Sequence, residues 1–210
     1  FEPYTPAERM PLRMPVQGVY KFTENNDNRR IIAGTVEAGV LRAEDAIVFY
    51  PSGKKTVIKT LERFHDDSQR PFVTTEAAGF TMQDQIYIKR GEIACRMYET
   101  PPQVGVRIRA NLFWLGKEKF IPHKRYQLKC GTAKTEMQLE RIEKVVNAAN
   151  LSYSNQQYAE KNDVAECILT LDSPIAFDIS GCEATSRFVI VDKYEIAGGG
   201  IITEALDAYD

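Results

Sequence analysis

The chain has 210 residues, of which 43% are hydrophobic and 27% are charged, and this composition is typical of a globular protein with one large or two modest cores. It excludes a disordered or collagen-like chain. Lysine and arginine total 27 against 29 aspartate and glutamate residues, so the formal net charge of −2 provides no general attraction to nucleic acid or to an anionic membrane. Any such binding requires a local basic patch.

The cysteines and the lengths of the apolar runs indicate the cellular compartment in which the chain is expected. The four cysteines form no CxxC pair and have no histidine close by, which argues against a zinc site and a disulfide scaffold and favours reduced thiols in the cytoplasm. No run approaches the roughly 18 to 20 apolar residues of a membrane span, and the first residues lack the features of a signal peptide. We therefore expect a cytoplasmic protein without membrane contact. Its start at Phe1 rather than Met suggests a piece of a longer protein.

Apolar residues in the first half recur mainly with a period of two, which predicts short β-strands. A strand with alternate residues facing the core is predicted from Met14 to Phe22, and TENNDNRR predicts a turn after it. RIIAGTVEAGVL predicts the next strand. AIVFYPSGKKTVIKTLERF predicts a hairpin around Gly53, and QIYIKRGEIACRMY predicts two short strands around Gly91. About six strands are therefore expected by residue 98.

The second half has the same alternating pattern of apolar residues, and it follows a stiff linker. Pro101-Pro102 predicts a boundary between domains 1–100 and 101–210, because consecutive prolines cannot join a central strand. Strands are predicted in VGVRIRANLFWL, RYQLKC, DVAECILTL and SRFVIVDKYEI, and the glycines at 198–200 predict a tight turn before a last strand, IITEAL. The segment that begins at Ala133 fits either a strand or a helix, and a long, bulged strand is favoured because its neighbours are strands. The chain is thus predicted to be all-β, with two barrels.

The sequence lacks the motifs of several enzyme classes. It has no GxxxxGK[ST] phosphate loop, no GxSxG and no HExxH. His65 and His123 are expected in exposed loops, and Asp66 and Asp67 are expected to form a solvated acidic turn rather than a cation site. We therefore predict no catalytic residue, no metal ligand and no cofactor-binding residue in the chain.

Two features remain as binding candidates. The stretch from Arg107 to Arg125 is rich in basic and aromatic residues, so it is a candidate surface for RNA or an acidic protein. The favoured interpretation is an ordinary solvated strand face, with Arg107 and Arg109 exposed. The single tryptophan, Trp114, is expected in the core, and an interface anchor is the less favoured alternative.

Several motifs resemble the translation-factor class of GTPases. PLRMPVQGVYKF, followed by RIIAGTVEAGVLRAEDAIVFYPSGKKTVIKTLE, resembles the second domain of that class, although Ala43-Glu44-Asp45 replaces the usual glycine before the aspartate. IKRGEIAC is similar to the strand that closes this domain. RIRANLFWL, KRYQLKCGTAKT, DVAECILTLDSPIAFD and TSRFVIVDKYEIAGGGII resemble the third domain. The resemblance implies two consecutive closed β-barrels of the elongation-factor-Tu domain 2 and domain 3 type.

Within this class the chain resembles the large subunit of bacterial sulfate adenylyltransferase more than elongation factor Tu, through PLRMPVQ, LFWLGKEKFIPHKRYQLKCGT and LDSPIAFD. The resemblance implies a G domain outside this sequence that binds GTP and Mg, and a smaller adenylyltransferase subunit that forms adenylyl sulfate from ATP and sulfate. Some relatives continue into a C-terminal adenylyl-sulfate kinase domain. The alternative is a barrel pair of an elongation factor that binds tRNA, although the net charge makes nucleic acid the less expected partner.

The resemblance also implies which residues make contacts. In the motif RFVIVDKYEIAGGG, the residues expected to face the G domain are Arg187, Val189, Glu195 and Ala197. On the first barrel, Arg29, Arg30 and the glycine-bearing strand after them are expected to form the partner-facing surface. That surface would meet the small subunit in a sulfate-activating protein or the acceptor end of tRNA in a translation factor.

Overall fold

The structure, a computed structural model, is dominated by β-strands that form two compact units, residues 1–102 and 103–210. The residues that it describes are 6–21, 29–62, 71–148 and 152–208. Within these ranges, no helix has the length and apolar character needed to cross a membrane. The helical segments described are a 3₁₀ turn at Ala7–Arg9 and a single turn at Glu183–Ser186.

The first unit contains eight strands among its described residues. They are β1 (Met14–Lys21), β2 (Arg30–Thr35), β3 (Leu41–Arg42), β4 (Ala46–Tyr50), β5 (Lys54–Glu62), β6 (Phe72–Val73), β7 (Ala77–Met82) and β8 (Ile93–Arg96). Six of them close into a barrel in the order β1-β2-β7-β5-β4-β8, and β3 pairs with β6. We refer to this ring as the first barrel.

The core of the first barrel follows from its inward-facing apolar side chains. Phe49 and Phe80 are fully buried and stack with their ring centroids 6.3 Å apart, and β-branched residues of the neighbouring strands surround them. The predicted hairpin is confirmed, since β4 and β5 pair antiparallel from Phe49 and Lys54 outward. The barrel closes without edge strands, which makes it a rigid platform for its outer surface.

Two predictions for the first barrel are wrong. The strand predicted at residues 85–89, before Gly91, does not form. The barrel instead contains β7, which was not predicted because its small residues give little β signal in the sequence. Alternation in β1 also fails beyond Val16, because a bulge shifts the register between Val16 and Gly18. Tyr20, expected to face the core, is therefore 58% exposed. The predicted turn at TENNDNRR lies mostly outside the described residues.

The second unit contains seven strands among its described residues. They are β9 (Gln103–Trp114), β10 (Arg125–Cys130), β11 (Ala133–Asn147), β12 (Tyr153–Ser154), β13 (Asp163–Phe177), β14 (Arg187–Asp192) and β15 (Glu195–Ala205). The sheet order is β10-β14-β15-β9-β13-β11-β12, and pairing of β10 with β11 closes six strands into the second barrel. The long, bulged strand predicted from Ala133 is confirmed as β11, with two register shifts against β13.

The predicted turn at the three glycines is wrong. Gly198–Gly200 lie within the continuous strand β15, and the turn falls instead at Lys193 and Tyr194, whose φ angles are 47° and 72°. The glycines are needed because β9 and β15 approach closely. A Cβ atom on Gly200 would lie 2.2 Å from the carbonyl oxygen of Asn111, a distance that no side chain tolerates.

Trp114 belongs to the core of the second barrel, as the sequence predicts. Its side chain is fully buried and stacks on Phe120 at 4.7 Å between ring centroids, with Tyr126 edge-on at 5.7 Å. The indole Nε1 donates a hydrogen bond of 2.8 Å to the carbonyl oxygen of Glu118, so the one polar atom of the ring has a partner.

Candidate functional site

An apolar groove of about 600 Å³ lies on the outer face of the first barrel. We call it the Arg29 groove, and its lining residues are Gln17, Tyr20, Arg29, Ile31, Ala33, Gly34, Glu62, Ala77, Ala78 and Gly79. The Arg29 guanidinium Nη1 lies 3.4 Å from the Glu62 carboxylate, so an ion pair lies among mainly small and apolar residues. This surface suits the packing of another protein better than it suits acid–base chemistry.

Arg30, the neighbour of Arg29, lines a different groove of about 400 Å³. We call it the basic groove, and its lining residues are Val19, Lys21, Arg30, Ile86, Tyr87, Ile88, Lys89 and Arg90. The two predicted partner-facing arginines therefore do not converge on one site. Instead, each belongs to a separate depression on the same barrel.

The basic stretch of the second barrel is compensated by carboxylates on neighbouring strands. Arg107 donates two hydrogen bonds to Glu140, from Nε at 2.8 Å and from Nη2 at 2.9 Å. Arg109 pairs with Glu204 at 2.8 Å between Nε and Oε2, and also with Glu143. The hydrogen bonds from Arg107 hold the pKa of the Glu140 carboxyl below its usual value. Arg107 is only 8% exposed, so the predicted exposure of this residue is wrong.

Three further cations of this stretch are paired in the same way. Lys119 pairs with Glu160 at 2.8 Å, Lys124 with Asp192 at 2.6 Å and with Glu118 at 3.1 Å, and Arg125 with Asp172 at 2.8 Å. Hydrogen bonds from Lys193 and Lys124 lower the pKa of Glu118. These side chains are thus bound to neighbouring carboxylates, a pairing that the sequence interpretation of a solvated strand face did not include.

The four residues expected to face the G domain are distributed along the β14–β15 hairpin. Arg187 begins β14, is exposed, and pairs with Glu183 at 2.6 Å between Nη2 and Oε1. Glu195 lies at the other end of the hairpin, opposite Asp192. Asp192 lies five residue steps along the extended strand from Arg187, which corresponds to about 17 Å. The structure therefore does not bring Arg187 and Glu195 together.

Val189 and Ala197 differ in accessibility. Val189 is half-buried on the outer face of β14, directly opposite Gly199 of β15. Ala197 is 3% exposed, and its carbonyl oxygen accepts hydrogen bonds from the amides of Leu115 at 2.7 Å and Gly116 at 2.8 Å. Its side chain is therefore part of the core, whereas Val189 is available to a partner.

A surface that sequence reasoning missed surrounds Val189. The register aligns four outward residues on adjacent strands, Val164 with Phe113, Phe113 with Gly199 and Gly199 with Val189. Ile201 lies two positions along β15 from Gly199, on the same face, and is 46% exposed. We call these five residues the apolar patch. The signal in the sequence was faint, because only the pairing register places residues from four strands side by side.

The described residues contain no group of three or more His, Cys, Asp or Glu side chains placed to hold a metal ion. All four cysteines are free and buried, and burial raises the pKa of the Cys130 and Cys167 thiols to about 12. His123 is exposed in a turn, as expected. His65, Asp66 and Asp67 lie outside the described residues. The glycines of β15 do not fit a phosphate site, because they are part of a paired strand.

Comparison with known proteins gives these barrels a family context. Residues 107–203 match the family described as GTP-eEF1A C-terminal domain-like. Sulfate adenylyltransferase subunit 1 of Aeromonas salmonicida is 31% identical over 204 residues, which cover 96% of this chain and 42% of that protein. The bifunctional enzyme NodQ of Rhizobium sp. is 28% identical over 203 residues, or 94% of this chain and 30% of that protein. The chain thus spans less than half the length of the curated relatives that it matches.

Among solved structures, Sup35 in complex with GDP has the same fold as the two barrels. The TM-score is 0.84 at 16% sequence identity, and the match covers 96% of this chain and 49% of that chain. Residues 107–203 therefore match the GTP-eEF1A C-terminal domain-like family, and the chain as a whole is similar to sulfate adenylyltransferase subunit 1 and has the two-barrel fold seen in Sup35.

Proposed function

We propose that this chain is the non-catalytic barrel pair of the large subunit of a sulfate adenylyltransferase. In this proposal, a G domain outside the 210 residues binds GTP and Mg, and a partner subunit forms adenylyl sulfate from ATP and sulfate in the cytoplasm. The barrels couple the two reactions. The observation that carries the proposal is the similarity to sulfate adenylyltransferase subunit 1 across 96% of the chain.

Coupling requires that the domains docked to the G domain are rigid. A GTPase converts the small structural change on loss of the γ-phosphate into a different docking of its neighbouring domains, and a flexible domain would not transmit that change. Each of the two closed rings is joined by strand pairing around its circumference and filled by a single apolar core. This construction favours a transmitting role for the barrels and leaves nucleotide chemistry to the G domain.

The apolar patch is our candidate for the face that meets the G domain. Phe113 and Val164 are each 37% exposed, and they continue the row that contains Val189. Outward positions of a solvated barrel are ordinarily polar, so a row of apolar residues across four strands favours a protein neighbour. Arg187, opposite Ile201, supplies a charged edge to this patch.

The competing function, tRNA binding by an elongation factor, is less well supported by the charges. Phosphate contacts need lysine and arginine side chains whose charge is available, and five of those in the second barrel, Arg107, Arg109, Lys119, Lys124 and Arg125, are paired with carboxylates. The Arg29 groove, with its ion pair and small apolar residues, suits a protein surface. We therefore assign this side of the first barrel to the partner subunit. A kinase domain beyond the barrels, as in some relatives, is compatible with this arrangement.

The proposal is tested in the full-length protein that carries the G domain. Distances between spin labels on the G domain and on the second barrel are measured with GDP and with a non-hydrolysable GTP analogue. We expect two distance distributions in the wild type and loss of the difference in Val189→Glu. Val104→Glu, which makes the same substitution at a valine of the second barrel that lies outside the patch and is 41% exposed, is the matched control. A wild-type distance that does not depend on the nucleotide would refute the coupling role.

A further inference from the structure

The basic groove of the first barrel concentrates positive charge that the described residues do not neutralise. Four cations, Lys21, Arg30, Lys89 and Arg90, line this groove of about 400 Å³, and its lining residues within the described ranges include no carboxylate. No ion pair within the described part of the chain joins any of the four to an aspartate or glutamate. In a protein with a net charge of −2, such a cluster contrasts with the paired cations of the second barrel.

Two of these cations lie opposite each other on paired strands, and their repulsion destabilises the sheet. Lys21 of β1 and Arg30 of β2 are direct cross-strand partners. Side chains in such positions lie about 5 Å apart at Cβ, and like charges placed there destabilise the sheet. An anion bound between them would remove the repulsion. On the other side of the groove, Arg90 donates a hydrogen bond of 3.1 Å from Nη1 to the carbonyl oxygen of Gln17, which fixes the position of the guanidinium.

An aromatic and aliphatic surface lies among the cations. Tyr87 is 64% exposed, and the Nζ atoms of Lys54 and Lys89 lie 5.5 Å and 5.9 Å from its ring centroid. Val19 is 36% exposed, and Ile86 and Ile88 are the other aliphatic residues that line the groove. A matching occupant therefore needs anionic groups on both sides of an apolar group. Contact with the Tyr87 ring would add to the affinity.

We infer that the basic groove binds an acidic segment of the partner adenylyltransferase subunit, in which carboxylates flank an apolar side chain. This inference rests on the proposed function. A protein segment suits the groove better than an RNA backbone does, because the apolar lining complements a side chain and because an RNA backbone needs a longer row of cations than the four that line the groove. The groove is also large enough for only a few residues of such a segment.

The experiment measures binding of the partner subunit to the chain by calorimetry, for the wild type and for Arg30→Glu. This substitution places a carboxylate opposite Lys21, so the like-charge pair becomes an ion pair and the melting temperature should equal or exceed that of the wild type. We expect Kd to rise at least about 10-fold, because a charge in the contact is reversed. Lys59→Glu is the matched control, since it makes the same charge change on an exposed lysine of the first barrel outside both grooves, and its Kd should stay within twofold.

A second pair of variants tests the aromatic contact. Tyr87→Phe keeps the ring and should bind like the wild type, whereas Tyr87→Ala should bind several-fold more weakly. Equal weakening in Arg30→Glu and Lys59→Glu, or no weakening in Arg30→Glu, would overturn the inference while leaving the proposed function intact. A wild-type chain that does not bind the subunit would overturn both. Competition by tRNA that is lost in Arg30→Glu would identify the groove as a nucleic-acid site and would also overturn the inference.

Discussion

Arg107 and Glu140 join β9 to β11 through two parallel hydrogen bonds, of 2.8 Å from Nε and 2.9 Å from Nη2. The arginine is almost buried, and its Nη1 atom also donates to the carbonyl oxygen of Asp207 at 3.2 Å. This pair therefore ties the last described residues of the chain to the wall of the second barrel. It also explains why an arginine in the basic stretch is not available to an anionic partner.

Glu140→Gln should destabilise the chain by about 2 kcal/mol at pH 7, because it removes the charge from a hydrogen-bonded, partly buried pair. The pKa of Glu140 is lowered in the folded state, so its stabilising contribution is fully present above the ordinary value of 4.5 and is lost as the pH falls through the folded pKa. The free energy of unfolding, measured with urea from pH 7 to pH 3, should show a constant wild-type advantage down to about pH 5 that shrinks in more acidic buffer.

Glu183→Gln is the control for this prediction, since its exposed pair with Arg187 should contribute less than about 1 kcal/mol. A pH-independent difference between the wild type and Glu140→Gln would show that the carboxylate charge is not what stabilises the contact.

Gly200→Ala should destabilise the second barrel by more than about 3 kcal/mol, because the added Cβ atom would overlap the backbone of β9. Gly105→Ala is a matched glycine in strand β9, where the nearest atom to the added Cβ lies 3.8 Å away. That variant should be neutral or slightly stabilising, by up to about 1 kcal/mol, because alanine restricts the unfolded chain. Urea midpoints compare the two. Equal effects would contradict the close approach of β9 and β15.

The thiols of the folded chain should be unreactive at pH 8. All four cysteines are buried, and the raised pKa of Cys130 and Cys167, about 12 for each, leaves almost no thiolate at these two positions. Labelling with a thiol-specific chromogenic reagent should therefore proceed only as the chain unfolds in denaturant. Rapid labelling of even one thiol in the native chain would show that a cysteine is more accessible than its burial indicates.

The alternation of apolar residues was sufficient to predict most of the long strands and the two-barrel class, although it missed β7, and some positions depend on partners far away in the sequence. The glycines of β15 resemble a turn locally, and their role appears only when Asn111, about ninety residues earlier, is placed against Gly200. Likewise, the carboxylates that pair with Arg109 come from Glu143 and Glu204. A linear reading of the basic stretch could not include them.

The composition of the two grooves of the first barrel depends even more strongly on the pairing register of the strands. Lys21 and Arg30 are cross-strand neighbours only because β1 and β2 pair in one particular register. Arg30 was identified through the family resemblance, whereas Lys89 and Arg90 join it only once the barrel closes. The bulge after Val16 had a similar effect, since it turned Tyr20 from a predicted core residue into part of the Arg29 groove.

The measurement that tests the central claim most directly is a pair of titrations of the chain, one with the partner adenylyltransferase subunit and one with tRNA, each at low and at moderate salt. We predict saturable binding of the subunit at both salt concentrations and only weak binding of tRNA that disappears at moderate salt. Tight, salt-sensitive binding of tRNA together with no binding of the subunit would contradict the claim, and would identify the barrels as a translation-factor module.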